Sequence, residues 1–101
     1  MPGMQIIREG DINQMKGAVK KKTGAQTVLV NGKPAAMKNK SMVVPHKGPK
    51  PPIHPINPIM KGDKTVLVEK MPIAFVGVPD SCKHLMIKKA SPDVLVKGEM
   101  G

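Results

Sequence analysis

Four side chains of this 101-residue sequence have the chemistry to hold a metal ion: His46, His54, Cys82 and His84, which are all of its histidines and its only cysteine. One thiolate and three imidazoles make a full donor set for a closed, tetrahedral zinc site. Cys82 and His84 are two apart, which in an extended segment puts both side chains on one face. Such a site reads as structural. Four protein ligands leave no open position for water, and Asp80 is the only acidic residue near any of them in sequence. Ser81, beside Cys82 and His84, lacks the orienting acid and Gly-rich turn that nucleophilic catalysis needs, so the chain is not read as an enzyme. The competing interpretation is that the four are unrelated: histidines exposed on loops and a cysteine acting as a small hydrophobe.

An internal repeat weighs for the metal. Sliding the sequence by 38 residues places Gly24 on Gly62, Thr27-Val28-Leu29-Val30 on Thr65-Val66-Leu67-Val68, Pro34 on Pro72, Ala36 on Ala74 and His46 on His84. That is eight identities in an ungapped window of 23 residues. A shorter third copy follows at Asp93-Val94-Leu95-Val96, with Gly98 standing where Gly32 stands in the first. A fixed period of this kind marks a repeat architecture. If the units stack about a common axis, His46 and His84 should approach one another.

Each unit has a Gly-bearing turn, a Val-Leu-Val run, a second turn and a Pro-x-Ala segment. Three apolar β-branched or aliphatic residues in a row fit a short strand buried on both faces and are too few for a helix that packs by itself. Asn31-Gly32 is a strong hairpin signal, because both residues tolerate the positive φ of a tight two-residue turn. The expectation is an all-β stack of short hairpins.

Composition says why such a stack needs support. There is no Trp or Tyr, Phe75 is the single aromatic residue, and nine Met are flexible gap-fillers. One cysteine excludes an intrachain disulfide. A metal or a partner chain is the remaining source of stability in a domain this small. The net charge of +10 comes mostly from Lys. It serves solubility or attracts an anionic partner. A basic nucleic-acid-binding module is the alternative function, although a single Arg and no aromatic platform fit it poorly. No apolar run reaches the ~20 residues that span a bilayer, and the N-terminus lacks a basic segment followed by a hydrophobic one, so cytoplasmic synthesis is expected.

Taken in order, the chain reads as a single domain with a basic segment over 1–23 and repeats over 24–101. Ile6-Ile7 could form a short strand, and Asn13 to Lys22 has helical character, with Met15 and Val19 four apart. From Pro45 to Pro58 six prolines and two histidines, without an acidic residue, favour a stiff extended loop.

The units Thr27-Val28-Leu29-Val30-Asn31-Gly32-Lys33-Pro34-Ala35-Ala36 and Thr65-Val66-Leu67-Val68-Glu69-Lys70-Met71-Pro72-Ile73-Ala74, followed by Ser81-Cys82 and the histidines, resemble the repeats of PAAR proteins, named for a Pro-Ala-Ala-Arg motif. The resemblance covers about residues 24–101 and departs at the motif Arg, which is Met37 in one unit and Phe75 in the other. It implies a small pseudo-threefold β cone with a structural zinc near its tip, held by His46, His54, Cys82 and His84. It also implies a spike tip that caps a trimeric VgrG-like spike, one chain per trimer, in a contractile injection machine such as the type VI secretion system. The spike-facing residues would be Val28, Leu29, Val30, Val66, Leu67, Val68, Val94, Leu95 and Val96. Effectors are possible partners, the target membrane a transient one, and no specific nucleic acid is expected. The protein would assemble in the cytoplasm and then be delivered outside the cell or into a target cell.

Overall fold

A computed structural model describes residues 3–44, 56–88, 91 and 94–100. Its described part is all-β: β1 (Met4–Gln5), β2 (Ile12–Asn13), β3 (Ala25–Val30), β4 (Lys33–Ala35), β5 (Met42–Val43), β6 (Asn57–Pro58), β7 (Asp63–Val68), β8 (Met71–Ile73), β9 (Met86–Lys88) and β10 (Leu95–Val96). They pair antiparallel, two by two, as β3-β4, β7-β8, β1-β10, β2-β9 and β5-β6.

The repeat is visible in the register. Leu29 lies opposite Pro34 and Val30 opposite Lys33; 38 residues on, Leu67 lies opposite Pro72 and Val68 opposite Met71, and each hairpin shifts register at the same place. Asn31 and Gly32 both take positive φ, 53° and 79°, as the tight turn requires. The second turn makes the same shape from Glu69 and Lys70, φ 47° and 71°, without a glycine.

The third unit is assembled from both ends of the chain. Leu95 pairs with Gln5 and Val96 with Met4, so β1 takes the place that β4 and β8 hold in the other two units. Gln5-Ile6-Ile7-Arg8 is therefore the counterpart of Pro34-Ala35-Ala36-Met37 and Pro72-Ile73-Ala74-Phe75. Three bridges confirm the alignment, each joining the fourth residue of one quartet to the second of the next: Arg8 to Ala35, Met37 to Ile73 and Phe75 to Ile6. The third residues close a circuit of backbone hydrogen bonds. The Ile7 amide donates to the Ala74 carbonyl at 3.0 Å, Ala36 to Ile7 at 2.9 Å and Ala74 to Ala36 at 2.8 Å. A second circuit surrounds it: Glu9 donates to Pro34, Lys38 to Pro72 and Val76 to Gln5, at 2.8–2.9 Å.

Two small cores lie along this arrangement. One contains Ile6, Val30, Met37, Val68 and Ile73 under the Val-Leu-Val hairpins. The other gathers Ile7, Val43, Ile59, Phe75, Val78 and Met86 beneath the remaining pairs. Methionine fills space in both, as Met37 and Met86 are buried.

Two expectations are corrected. The Val-Leu-Val strands are not buried on both faces: Leu29 and Leu67 are 61 % and 60 % exposed while Val30 and Val68 are buried. Each hairpin is only two-stranded, so one pleat face has nothing laid against it. Nor is Asn13 to Lys22 a helix. The Asn13 side-chain carbonyl accepts the amides of Met15 (2.9 Å) and Gly17 (2.7 Å), and Lys16 takes a φ of 68°. The Asn13 side chain thus closes a tight turn that returns Ala18 to Ile12 and Val19 to Val43. Among the described residues no helix is long and apolar enough to cross a membrane.

Candidate metal centre

Two turns and the paired ends of a third connection share the end of the molecule opposite the Val-Leu-Val hairpins. The first joins Asn13 to Gly17, whose carbonyl accepts the Asn13 amide at 2.8 Å; another joins Asp80 to His84 in the same way at 2.9 Å. The last connects Val43 to Asn57, paired across β5 and β6. A further circuit of amide-to-carbonyl bonds links them, Gln14 to Leu85, Val44 to Ala18 and Ser81 to Pro58, at 2.8–3.0 Å. The proline-rich segment is thus a long connection where the other two turns have three residues between their paired ends.

Cys82 and His84 lie in the Asp80 turn. It is not the extended segment expected from their spacing, since Lys83 between them has a φ of 67°. Asp80 builds it: its Oδ1 accepts the amides of Cys82 at 2.9 Å and His84 at 3.0 Å, and its Oδ2 accepts Asn13 Nδ2 at 2.9 Å. A buried carboxylate thereby fixes the backbone under both candidate ligands. Asn57 Oδ1 accepts the Ser81 amide at 2.9 Å, tying in the neighbouring connection. Cys82 is half-buried and His84 is 9 % exposed. Burial pushes the Cys82 thiol above its ordinary pKa, and the Asp80 carboxylate pushes it the same way.

His46 and His54 lie outside the described residues, and among the described residues no group of three or more His, Cys, Asp or Glu is placed to hold a metal. Only Cys82 and His84 of the four candidates are described. The 38-residue frame holds through Asn39 and Gly77, which have positive φ and donate to Ile59 and Met86 respectively. It then slips by one, and strand pairing makes Asn57 rather than His46 the counterpart of His84. The repeat spacing therefore does not by itself carry His46 to His84. What the fold supplies is proximity of segments: the connection bearing His46 and His54 leaves from Val44, bonded to Ala18, and returns at Asn57 and Pro58, both bonded to the Ser81 amide beside Cys82. The described half of the candidate set is a cysteine and a histidine on one turn pinned by a carboxylate, donor types that zinc accepts.

Arg8 is a repeat position that the sequence alignment missed. It stands where Met37 and Phe75 stand, is 6 % exposed, and its Nε donates to Asp11 Oδ2 at 2.9 Å while Nη2 donates to Oδ1 at 3.1 Å. Its signal was the chain's only Arg, closing an apolar quartet near the N-terminus.

Hairpin units joined by three-membered hydrogen-bond circuits, with the N-terminal strand completing the last unit, define a small all-β repeat protein closed on itself. The chain matches the PAAR motif family over residues 9–82, more than half its length, and belongs to that family. Comparison with curated proteins gives no match.

Proposed function

We propose that this chain is a spike tip: it caps a trimeric VgrG-like spike of a contractile injection machine of the type VI kind, one chain per trimer, and acts without catalysis. The observation that carries this is the set of three leucines at register-equivalent places, Leu29 opposite Pro34, Leu67 opposite Pro72 and Leu95 opposite Gln5. They are 61 %, 60 % and 50 % exposed. A monomer seats on a trimer only by offering three similar faces, and large exposed apolar side chains gathered at one end mark an interaction surface. The neighbouring Val30 and Val68 are buried and Val28, Val66 and Val96 half-buried, so within the three Val-Leu-Val runs the leucines and Val94 are the groups most available to a partner.

The three-membered circuits support a pseudo-threefold cone whose axis continues that of the spike. At the narrow end, zinc held by His46, His54, Cys82 and His84 would supply a cross-link where there is little room for a core. Assembly in the cytoplasm, ejection with the spike, brief passage through a target membrane and carriage of effectors follow from that role. The nucleic-acid alternative loses ground because the single Arg is buried against Asp11 and offers no fork to phosphate.

The test is co-purification with a trimeric spike. Replacing Leu29, Leu67 and Leu95 by Glu together should abolish capture while leaving the circular dichroism spectrum unchanged; retention of capture would refute this docking face.

A further inference from the structure

Neighbouring units are tied side to side by carboxylates that accept backbone amides. Glu9, just beyond the third unit's second strand, accepts the Gly24 amide of the first unit at 2.9 Å, and Asp63 of the second unit accepts the Gly98 amide of the third at 2.9 Å. Glu69 of the second unit reaches the first: its Oε2 accepts the Thr27 amide at 3.0 Å and the Thr27 hydroxyl at 2.7 Å. Hydrogen bonds to a charged acceptor are shorter and stronger than neutral ones. Gly24 precedes β3 and Asp63 opens β7, so the first two ties lie at the strand ends remote from the hairpin turns. The Glu69 tie starts in a turn, two residues after Leu67, and ends two residues before Leu29. It spans the gap between two hairpins that each present an exposed leucine.

Turn chemistry does not account for a glutamate at this place. The equivalent residue of the first unit is Asn31, followed by Gly32, the pair favoured by a tight turn with two positive φ angles. Glu69 takes the same left-handed conformation, φ 47°, although that region disfavours side chains other than Asn, Asp and Gly. Backbone strain held in place by its surroundings is a pointer to a residue with a task. What Glu has and Asn lacks is one methylene of reach, and the bonds from Thr27 use it. Those bonds, from the hydroxyl first and then the amide, hold the Glu69 carboxylate below its ordinary pKa, and Lys40 acts in the same direction.

We propose that Glu69 is a positioning residue for the docking face: by tying the second hairpin to the first through Thr27, it fixes the spacing of Leu67 and Leu29 before a partner arrives. The inference rests on the spike-tip reading and deepens it. A threefold partner requires its apolar contacts at set separations, and a surface ordered in advance loses less freedom on binding.

Glu69→Asn supplies the test, because it gives the turn a residue its backbone prefers while shortening the side chain by one methylene. Expected are a melting temperature no lower than that of the unaltered chain, a Thr27 amide that exchanges with deuterium about tenfold faster, and capture by a trimeric spike about fivefold weaker. Glu69→Gln keeps the length and an acceptor oxygen and should hold capture within about twofold. Should Glu69→Asn fail to fold, Thr27→Val removes the hydroxyl donor from the other side of the tie, with a smaller loss of capture expected because the amide bond stays. Unchanged Thr27 exchange in Glu69→Asn would mean that there is no tie to lose. Faster exchange with capture intact would mean that the tie does not position the face, and equal capture losses in the Asn and Gln variants would assign Glu69 to direct charge contact instead; each of these overturns the proposal. An unaltered chain that no spike captures, with Thr27 exchange still responding to Glu69→Asn, defeats the docking reading and this role with it, whereas equal capture of the unaltered chain and Glu69→Asn defeats the inference alone.

Discussion

The guanidinium of Arg8 meets the carboxylate of Asp11 in a buried two-pronged contact, Nε to Oδ2 at 2.9 Å and Nη2 to Oδ1 at 3.1 Å. Asp11 Oδ2 also accepts the Arg8 amide at 2.8 Å. In the next unit the same amide position, Met37, donates to the Ser41 hydroxyl at 2.7 Å. One unit thus uses an ion pair where its neighbour uses a thioether and a hydroxyl.

Removing Arg8 alone strands a buried carboxylate. Arg8→Met should cost about 3–5 kcal/mol, and Arg8→Met with Asp11→Ser should recover most of that, because replacing a whole buried pair by packed groups is often close to neutral. Urea unfolding of both variants checks it; a double variant no more stable than the single one would contradict the assigned equivalence of Arg8 and Met37.

Asp63 ties the C-terminal strand to the second unit. Burial acts to raise its pKa but is outweighed by hydrogen bonds from the Thr65 hydroxyl and amide and from the Gly98 and Glu99 backbone, leaving it below the ordinary carboxylate range. A folded-state pKa below the unfolded value contributes stability that is fully present above the unfolded pKa and is lost as pH falls through the folded one. Melting temperature should therefore drop as pH falls through and below the ordinary carboxylate range, and Asp63→Asn should be less stable at neutral pH with a shallower acid limb. An unchanged acid limb in that variant would remove Asp63 from the account.

Lys70 has a φ of 71° at a place where the first unit has Gly32. A left-handed conformation costs a side-chain-bearing residue about 1–2 kcal/mol, and the entropy of a new glycine takes back part of the gain. Lys70→Gly should stabilise by about 0.5–1 kcal/mol and raise the melting temperature by a few degrees, about 4–8 °C per kcal/mol for a domain of this size. A lower melting temperature would show that Lys70 makes a contact outweighing the strain.

Asp80 holds the amides of Cys82 and His84. If these residues bind zinc, Asp80→Ala should weaken its affinity about 10- to 100-fold, the usual effect of losing a group that orients ligands. Competition against a chromophoric chelator measures this, and unaltered affinity would mean the turn does not preorganise the pair.

Much of the fold was legible because the repeat is written in side chains: the Thr-Val-Leu-Val runs and the Asn31-Gly32 turn recur as paired hairpins in one register. The third unit was not, because its second strand lies at the other end of the chain and Gln5-Ile6-Ile7-Arg8 shares no residue with Pro34-Ala35-Ala36-Met37; backbone hydrogen bonds define it. The exposure of Leu29 and Leu67 was hidden for a related reason. An apolar triplet reads as doubly buried whether its second face is covered by the same chain or left open. Of the candidate site, the Cys82–His84 turn is explained by Asp80, a short-range capping interaction, whereas the extra residue that breaks the 38-residue frame after Asn39 is visible only in the pairing.

The most direct test of the central claim, a three-faced monomer seated on a trimer and pinned by one ion, is a native mass spectrum of the chain mixed with a trimeric spike. The account predicts a single complex of one chain and three spike subunits, heavier by one zinc that Cys82→Ser removes. Complexes with three chains per trimer, or a fully bound chain without zinc, would contradict it.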